Sequence, residues 1–144
     1  PKLLSFLSFS YPWNYSNGII DNNLYPNDVN GMIIPQPNLK LRSNDLPFDQ
    51  YIGDEFAFLL FKGDRFFLEK IKSLPNMKIF NNNIFQVDEN HIFNEDTDFF
   101  NWHNDKKLTA VIIKPDKHVY GAIKDSMKIE NIEKLINKLH NDLY

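Results

Sequence analysis

The strongest constraint on the fold is an uninterrupted apolar run from Phe56 to Phe61, followed after one lysine by Gly63 and Asp64. A short run without polar alternation, bounded by turn residues, is typical of a strand that is buried on both faces. Asp64 is a suitable helix N-cap, and the apolar residues after it recur at helical spacing until Pro75 ends the pattern. A buried strand followed directly by an amphipathic helix predicts the first half of a parallel β-α-β unit.

The rest of the chain predicts a further β-rich part and a last helix. Strands are expected at Met77 to Phe80 (before a turn of three asparagines), at Leu108 to Ile113, and at His118 to Ile123. A short helix is expected at Asp96 to His103, and Ser126 is expected to cap a helix whose apolar stripe runs from Ile129 to Leu143. The order β-α-β-α-β-β-α predicts an α/β, thioredoxin-like fold, which is a central mixed sheet with helices on both faces.

The first third of the chain is less regular. Residues 1–37 are rich in proline, asparagine and aromatic side chains and are predicted to form an extended connecting segment, with the thioredoxin-like domain at residues 38–144. Within that domain, Lys40 to Ser43 is expected to form a short edge strand, and Leu46 to Ile52 one or two helical turns that stop at Gly53.

Two interpretations of the connecting segment remain open. Its aromatic side chains, among them Trp13 and Tyr15, carry too much apolar area to leave in water, so they pack against their own domain or cover a neighbouring domain. Pro35, Gln36 and Pro37 form the best candidate for a functional contact, because prolines lack a backbone donor and hold the residue before them extended. A stiff crossover without a special role is the alternative.

The composition excludes several kinds of chemistry. The 144-residue chain has no cysteine, which removes disulfides, thiol nucleophiles, redox C-x-x-C motifs and cysteine metal sites. Its five glycines lie too far apart for the glycine-rich turn that binds a dinucleotide, so no cofactor is expected to bind this chain. Sixteen basic and nineteen acidic residues, mixed along the chain, argue against a nucleic-acid partner, and the longest apolar run is too short for a bilayer. The N-terminus lacks the charged region of a signal peptide, so the expected location is cytoplasmic.

Histidine and acidic residues do not predict a metal site either. His91, His103, His118 and His140 are far apart and form no i, i+4 pair, so a zinc site is unsupported. The acidic cluster at Glu95 to Asp98 lacks the glycine and the last glutamate of a calcium loop. These acids are interpreted as the N-terminus of the short helix.

Four phrases in a fixed order carry a resemblance to a known family. They are Gly31-Met32-Ile33-Ile34-Pro35-Gln36-Pro37, Phe48-Asp49-Gln50-Tyr51-Ile52-Gly53, Phe56-Ala57-Phe58-Leu59-Leu60 and Ile112-Ile113-Lys114-Pro115-Asp116-Lys117-His118-Val119. The series resembles the C-terminal, thioredoxin-like region of FAD-dependent aromatic-ring hydroxylases of the 3-(3-hydroxyphenyl)propionate hydroxylase and phenol monooxygenase type. The resemblance covers residues 15–143, which would correspond to only the last quarter or so of such an enzyme.

The resemblance implies a parent oxidoreductase, a flavoprotein monooxygenase that reduces FAD with NAD(P)H and inserts one oxygen atom of O2 into a phenolic ring. The flavin supplies that chemistry, so FAD and NAD(P)H would be bound by domains upstream of Pro1, and this chain would have no catalytic residues. Its expected role is packing against the upstream FAD-binding and substrate domains, or formation of a homodimer. A free-standing thioredoxin-like interaction module without redox activity is the alternative. A first residue other than methionine fits either methionine removal or a piece of a longer protein.

Two residues depart from the family pattern. Lys114 replaces an arginine, which keeps the charge but loses the planar fork. Lys117 stands at a position of glycine, so the turn is expected to take a different shape.

The aromatic side chains after the buried strand also allow two interpretations. Core positions are predicted for a set of five, and the alternative is that some of them form an exposed contact patch: Phe66, Phe67, Phe99, Phe100 and Trp102.

Overall fold

The computed structural model describes residues 20–21, 24–25, 28–34, 38–39, 46–47, 53–87, 101–102 and 104–144. A small antiparallel ladder pairs β1 (Asn38–Leu39) with β2 (Leu46–Pro47). The main sheet contains β3 (Ala57–Leu60), β4 (Ile84–Gln86), β5 (Leu108–Ile113) and β6 (Val119–Lys124), in the order β4-β3-β5-β6. β3 pairs parallel to β4 and antiparallel to β5, and β5 pairs antiparallel to β6. The sheet is therefore mixed, as predicted.

Two helices, α1 (Arg65–Lys72) and α2 (Ile129–Leu143), pack on one face of this sheet. Because side chains alternate along a strand, Phe58 and Leu60 of β3 point to this face. The ring of Phe58 meets that of Phe80 edge to face at 5.7 Å between centroids. The apolar stripe of α2 is buried as its spacing predicted: Ile132, Leu135, Ile136, Leu139 and Leu143.

The opposite face is covered by different parts of the chain. Ala57 and Leu59 of β3 contribute to a second buried cluster together with Val29, Ile34 and residues of β5 and β6. Trp102 packs against this cluster, and its ring lies edge to face with Phe61 at 6.3 Å. The described residues around Trp102 (101–102 and 104–105) are helical. Helical residues thus lie on both faces of a mixed sheet, which confirms the predicted thioredoxin-like α/β fold.

The prediction of a strand at Met77 to Phe80 is wrong. These residues form a 3-10 helix, and the strand begins only at Ile84, after the three asparagines. In a 3-10 turn, residues three apart lie on the same side, so Met77 and Phe80 both reach the core. The flanking Asn76 and Asn81 have φ values of 70° and 54°, a left-handed conformation that asparagine tolerates better than most residues.

Two smaller predictions also need correction. Leu46 and Pro47, the start of the helical turns predicted up to Ile52, are extended, because a residue before proline is disfavoured in the helical region. Residues 48–52 lie outside the described residues. The last helix begins at Ile129 with Lys128 at the N-cap position. Ser126 does not cap it; the Ser126 hydroxyl accepts hydrogen bonds from the Lys128 backbone at 3.3 Å and the Asn131 side chain at 2.9 Å. The predicted edge strand at Lys40 to Ser43 lies outside the described residues.

Candidate functional site

The turn between β3 and α1 is the place where thiol-containing relatives of this fold would carry their reactive cysteine, at the start of a helix. Here Asp64 occupies the N-cap position, and its carboxylate accepts the Phe67 N–H at 2.9 Å, as predicted. Gly63 has a φ of 104° and its carbonyl accepts a hydrogen bond from the Gln86 side chain at 2.6 Å. The turn is thus built from capping and turn contacts, and it carries no group able to exchange a disulfide.

The prediction that Phe66 belongs to the core is wrong. Its side chain is 79% exposed, whereas Phe67 packs against the cluster under the helices. Successive residues of a helix point about 100° apart, so one of two neighbouring phenylalanines faces the sheet and the other faces solvent. Phe99 and Phe100 lie outside the described residues.

A second candidate surface is formed where residues 28–34, here termed the edge segment, lie beside β6. The Gly31 N–H donates to the Val119 carbonyl at 2.8 Å, the Val119 N–H donates back to Met32 at 2.8 Å, and the Ile34 N–H donates to Lys117 at 3.0 Å. Ile33 and His118 form an antiparallel bridge. The edge segment therefore extends the main sheet beyond β6 by a short strand-like stretch.

Asp21 fixes the beginning of this part of the chain. Its side chain is fully buried and accepts hydrogen bonds from the backbone N–H groups of Leu24 at 2.9 Å and Tyr25 at 2.8 Å. Its own N–H donates to the carbonyl of Tyr120 in β6 at 2.8 Å. The amine of Lys138 on α2 lies 3.7 Å from the Asp21 carboxylate and offsets its charge.

The β5–β6 turn, which faces the edge segment, contains a buried ion pair. The amine of Lys114 and the carboxylate of Asp116 are 3.7 Å apart, with both side chains at most 1% exposed. Asp116 also accepts the His118 N–H at 2.9 Å. Burial lowers the pKa of the Lys114 amine, and the Asp116 carboxylate opposes part of that shift. A buried pair of this kind is costly to break from one side, so it fixes the shape of the turn.

Lys117 completes the turn in a conformation that the sequence did not indicate. Its φ is 72°, the left-handed region in which glycine is favoured, so the turn keeps the backbone shape expected of a glycine at this position. Its amine donates to the carbonyls of Gly53 at 2.5 Å and Pro115 at 2.8 Å. The expectation of a differently shaped turn is corrected by this conformation.

The edge segment exposes two neighbouring apolar side chains. Ile33 is 61% exposed and Met32 is 41% exposed, although the residues on either side of them are held by hydrogen bonds to the β5–β6 turn and β6. Because Met32 and Ile33 are adjacent, their exposed side chains form a small candidate contact surface. The site residues predicted from sequence, Trp13, Tyr15, Pro35, Gln36 and Pro37, lie outside the described residues, with Pro35 following directly after Ile34.

A cleft of about 540 Å³ lies beside the 3-10 helix and the C-terminal end of α2. Its apolar lining includes Met77 and Ile79, and its polar lining includes Lys78 and His140. The His140 ring lies 4.9 Å from that of Tyr144, between centroids. The cleft is therefore lined by apolar, amine, imidazole and phenol groups together.

The described ranges contain neither a cluster of metal ligands nor a helix that could span a membrane. No group of three or more histidine or acidic side chains converges there. Among the same residues, no helix combines the length and apolar character that a membrane crossing requires.

Comparison with known proteins supports the fold. No protein-family model and no curated protein matches the chain in sequence. Among solved structures, the chain is similar to the mitochondrial 2-Cys peroxiredoxin of Plasmodium falciparum, with a TM-score of 0.50 and 12% identity over 76% of this chain and 92% of that one. This likeness shows the thioredoxin-like fold alone.

A second similar structure is the OxyS anhydrotetracycline hydroxylase of Streptomyces rimosus, with a TM-score of 0.48 and 12% identity. The match covers 81% of this chain and spans only 21% of the length of the hydroxylase.

Proposed function

We propose that this chain is the C-terminal, non-catalytic domain of a flavin-dependent monooxygenase that hydroxylates a phenolic ring with NAD(P)H and O2. In this role the chain packs against the FAD-binding and substrate domains of the same protein, or against a second copy. The fold agrees with the proposal, because a thioredoxin-like domain without cysteine has no thiol for redox chemistry.

The observation that carries the proposal is that two of the sequence segments that resemble the family contact each other in the structure. The phrase that begins at Gly31 and the phrase that ends at Val119 are distant in sequence, yet they hydrogen-bond to each other along the edge segment. Lys117 keeps a glycine-like φ at the position of a family glycine. Phrases that share one structural unit are more informative than short matches scattered over unrelated surfaces.

The expected contact surface follows from exposure. Met32 and Ile33 present apolar side chains to solvent on backbone that is fixed by hydrogen bonds, and only the buried Ile34 separates them from Pro35. A rigid surface loses little conformational entropy on association, so such residues are suited to a permanent contact between domains.

The first test reads the coding sequence upstream of Pro1. An open frame that contains a glycine-rich dinucleotide-binding fingerprint is the expected result, and a start codon immediately before Pro1 would refute the proposal. The isolated chain, titrated into FAD, is expected to leave the flavin fluorescence unchanged. A yellow protein, or quenching on titration, would show that this domain is not silent.

The second test addresses the contact surface in the longer protein. Ile33→Asp is expected to weaken packing between the domains, which would be measured as faster limited proteolysis at their junction. The isolated chain is expected to stay folded, because Ile33 is exposed. Met127→Asp is the matched control, since Met127 is also exposed, at 45%, but lies near Gly63 rather than on the edge segment. Equal proteolysis of both variants would contradict a contact through Ile33.

The exposed Phe66 favours a second candidate function, a free-standing interaction module. Phe66 lies in the first turn of α1, and Met127 lies close to Gly63 just before that helix, which gives two exposed apolar side chains in one region. A start codon directly before Pro1 would favour this module over the hydroxylase domain.

A further inference from the structure

An asparagine followed by glycine occurs inside the edge segment, at Asn30 and Gly31. In such a pair the backbone nitrogen of the glycine can attack the asparagine side-chain carbonyl, because glycine has no Cβ to obstruct the approach. The reaction needs a free glycine nitrogen and a side-chain amide that can rotate towards it. The structure restrains both groups.

The side-chain amide is restrained by two carbonyls. The Asn30 Nδ2 donates to the Asp21 carbonyl at 2.7 Å and to the Tyr25 carbonyl at 3.1 Å. Two acceptors at these distances require the nitrogen, not the oxygen, at this position, so they fix the orientation of the amide. The attacking nitrogen is restrained as well, since the Gly31 N–H donates to the Val119 carbonyl at 2.8 Å.

We propose that Asn30 is a conditional deamidation site, protected while the edge segment lies on β6 and reactive when the segment leaves it. On opening, the Gly31 nitrogen loses its proton and bonds to the Asn30 Cγ, and the Cγ–Nδ2 bond breaks with release of ammonia. Water then adds to either carbonyl of the resulting five-membered imide and opens it to aspartate or isoaspartate. No oxidant, reductant or cofactor takes part. The proposal does not depend on the hydroxylase assignment.

The product does not fit the closed arrangement. A carboxylate at position 30 has no proton to donate, so it would face the carbonyls of Asp21 and Tyr25 beside the buried Asp21 carboxylate. Isoaspartate also adds one atom to the main chain, which shifts the register of Gly31 against Val119. Deamidation therefore converts a transient opening into a permanent one, and it uncovers the surface of β6 on which the edge segment had been packed.

The first test compares two matched variants of the intact chain during incubation at mildly alkaline pH. Ile34→Val removes one methyl group under the edge segment, and Ile71→Val removes the same group from α1; both side chains are at most 1% exposed and belong to different clusters. Conversion is followed by the mass change on replacing an amide by a carboxylate. Peptide fragmentation separates Asn30 from Asn17, which also precedes a glycine in the sequence.

Local opening predicts that Asn30 converts faster in Ile34→Val than in the unchanged chain, and that Ile71→Val leaves the rate unaltered. It also predicts that Asn30 in the folded chain converts at least about tenfold more slowly than in urea, the ratio giving the opening constant. An equal acceleration in both valine variants would mean that only global unfolding exposes Asn30. A folded rate equal to the rate in urea would mean that the contacts do not protect it. Either result overturns the proposal.

The second test examines the product. In Asn30→Asp, amide hydrogen exchange at Gly31, Ile34 and Val119 is expected to accelerate about tenfold or more, because two donor contacts are lost and a charge is buried. Asn137→Asp is the charge-matched control, because Asn137 accepts from the Asn76 side chain at 2.9 Å and a carboxylate can still accept. Unchanged exchange in Asn30→Asp would refute the claim that the product opens the edge segment.

Discussion

Replacement of Lys117 separates backbone strain from hydrogen bonding in the β5–β6 turn. Lys117 has a φ of 72° and its amine donates to the Gly53 and Pro115 carbonyls. Lys117→Ala loses both bonds and keeps the left-handed backbone, so we expect the free energy of unfolding to fall by about 1–3 kcal/mol. Lys117→Gly loses the same bonds but relieves about 1–2 kcal/mol of left-handed strain. The greater conformational freedom of glycine in the unfolded chain offsets about 0.5–1 kcal/mol of that gain. The glycine variant is therefore expected to be more stable than the alanine variant by about 0.5–1 kcal/mol.

Urea unfolding of the two Lys117 variants measures this difference, provided that their m-values agree. Lys134 on α2 supplies the control, because glycine in a helix is less stable than alanine by about 1 kcal/mol and the order of the two variants should reverse. If glycine is not the more stable residue at position 117, the strain argument fails. If glycine is the more stable residue at both positions, the effect is not specific to the left-handed turn.

Three further predictions concern the core and its polar contacts. Lys114→Met leaves a buried carboxylate without its cation and is expected to destabilise the chain by about 3–5 kcal/mol in chemical unfolding; a neutral effect would show that the pair is not needed. Phe58→Ala is expected to cost about 3–5 kcal/mol, and Phe66→Ala no more than about 0.5 kcal/mol, because Phe58 is buried and Phe66 exposed; similar losses would contradict that difference. The Tyr120 hydroxyl donates to Asp142 at 2.6 Å. Burial is the largest cause that raises the pKa of Tyr120, and the hydrogen bond to Asp142 is the next largest. Because the folded pKa of Tyr120 is raised, its contribution to stability is complete below the unfolded pKa of about 10 and is lost as pH rises above that value. The stability advantage of the unchanged chain over Tyr120→Phe should therefore shrink when unfolding is measured at increasingly alkaline pH. An advantage that grows with pH would refute the sign.

Local sequence patterns predicted most of the regular elements around the sheet. The run that contains β3, the stripe of α2 and the Asp64 cap are each recognisable because burial on a sheet or helix repeats with a fixed period. The same reasoning failed at Met77 to Phe80, where a short apolar run fits both a strand and a 3-10 turn. A run of that length does not contain enough periods to separate the two.

The candidate surfaces could be predicted only in part. The Gly31-to-Pro37 phrase and the β5–β6 turn were both singled out in the sequence, but their hydrogen bonds to each other could not be read from either phrase alone. Phe66 and Phe67 are neighbours of the same residue type, so the sequence does not distinguish them. The orientation of α1 about its own axis decides which one is exposed. The buried ion pair of Lys114 with Asp116 gave no sequence signal, because charged residues in a turn are normally solvated.

The sequence by itself determined that this chain has no thiol chemistry and that it alternates strands and helices in a thioredoxin-like order. Absence of cysteine and the period of apolar residues are local properties, so no tertiary information is needed to read them. The tertiary structure decided what covers each face of the sheet: the edge segment lies along β6, the Lys114–Asp116 pair becomes buried, and Asn30 is held by the carbonyls of Asp21 and Tyr25. Those outcomes depend on contacts between residues far apart in the chain, and periodicity shows which side of an element is apolar without showing what packs against it.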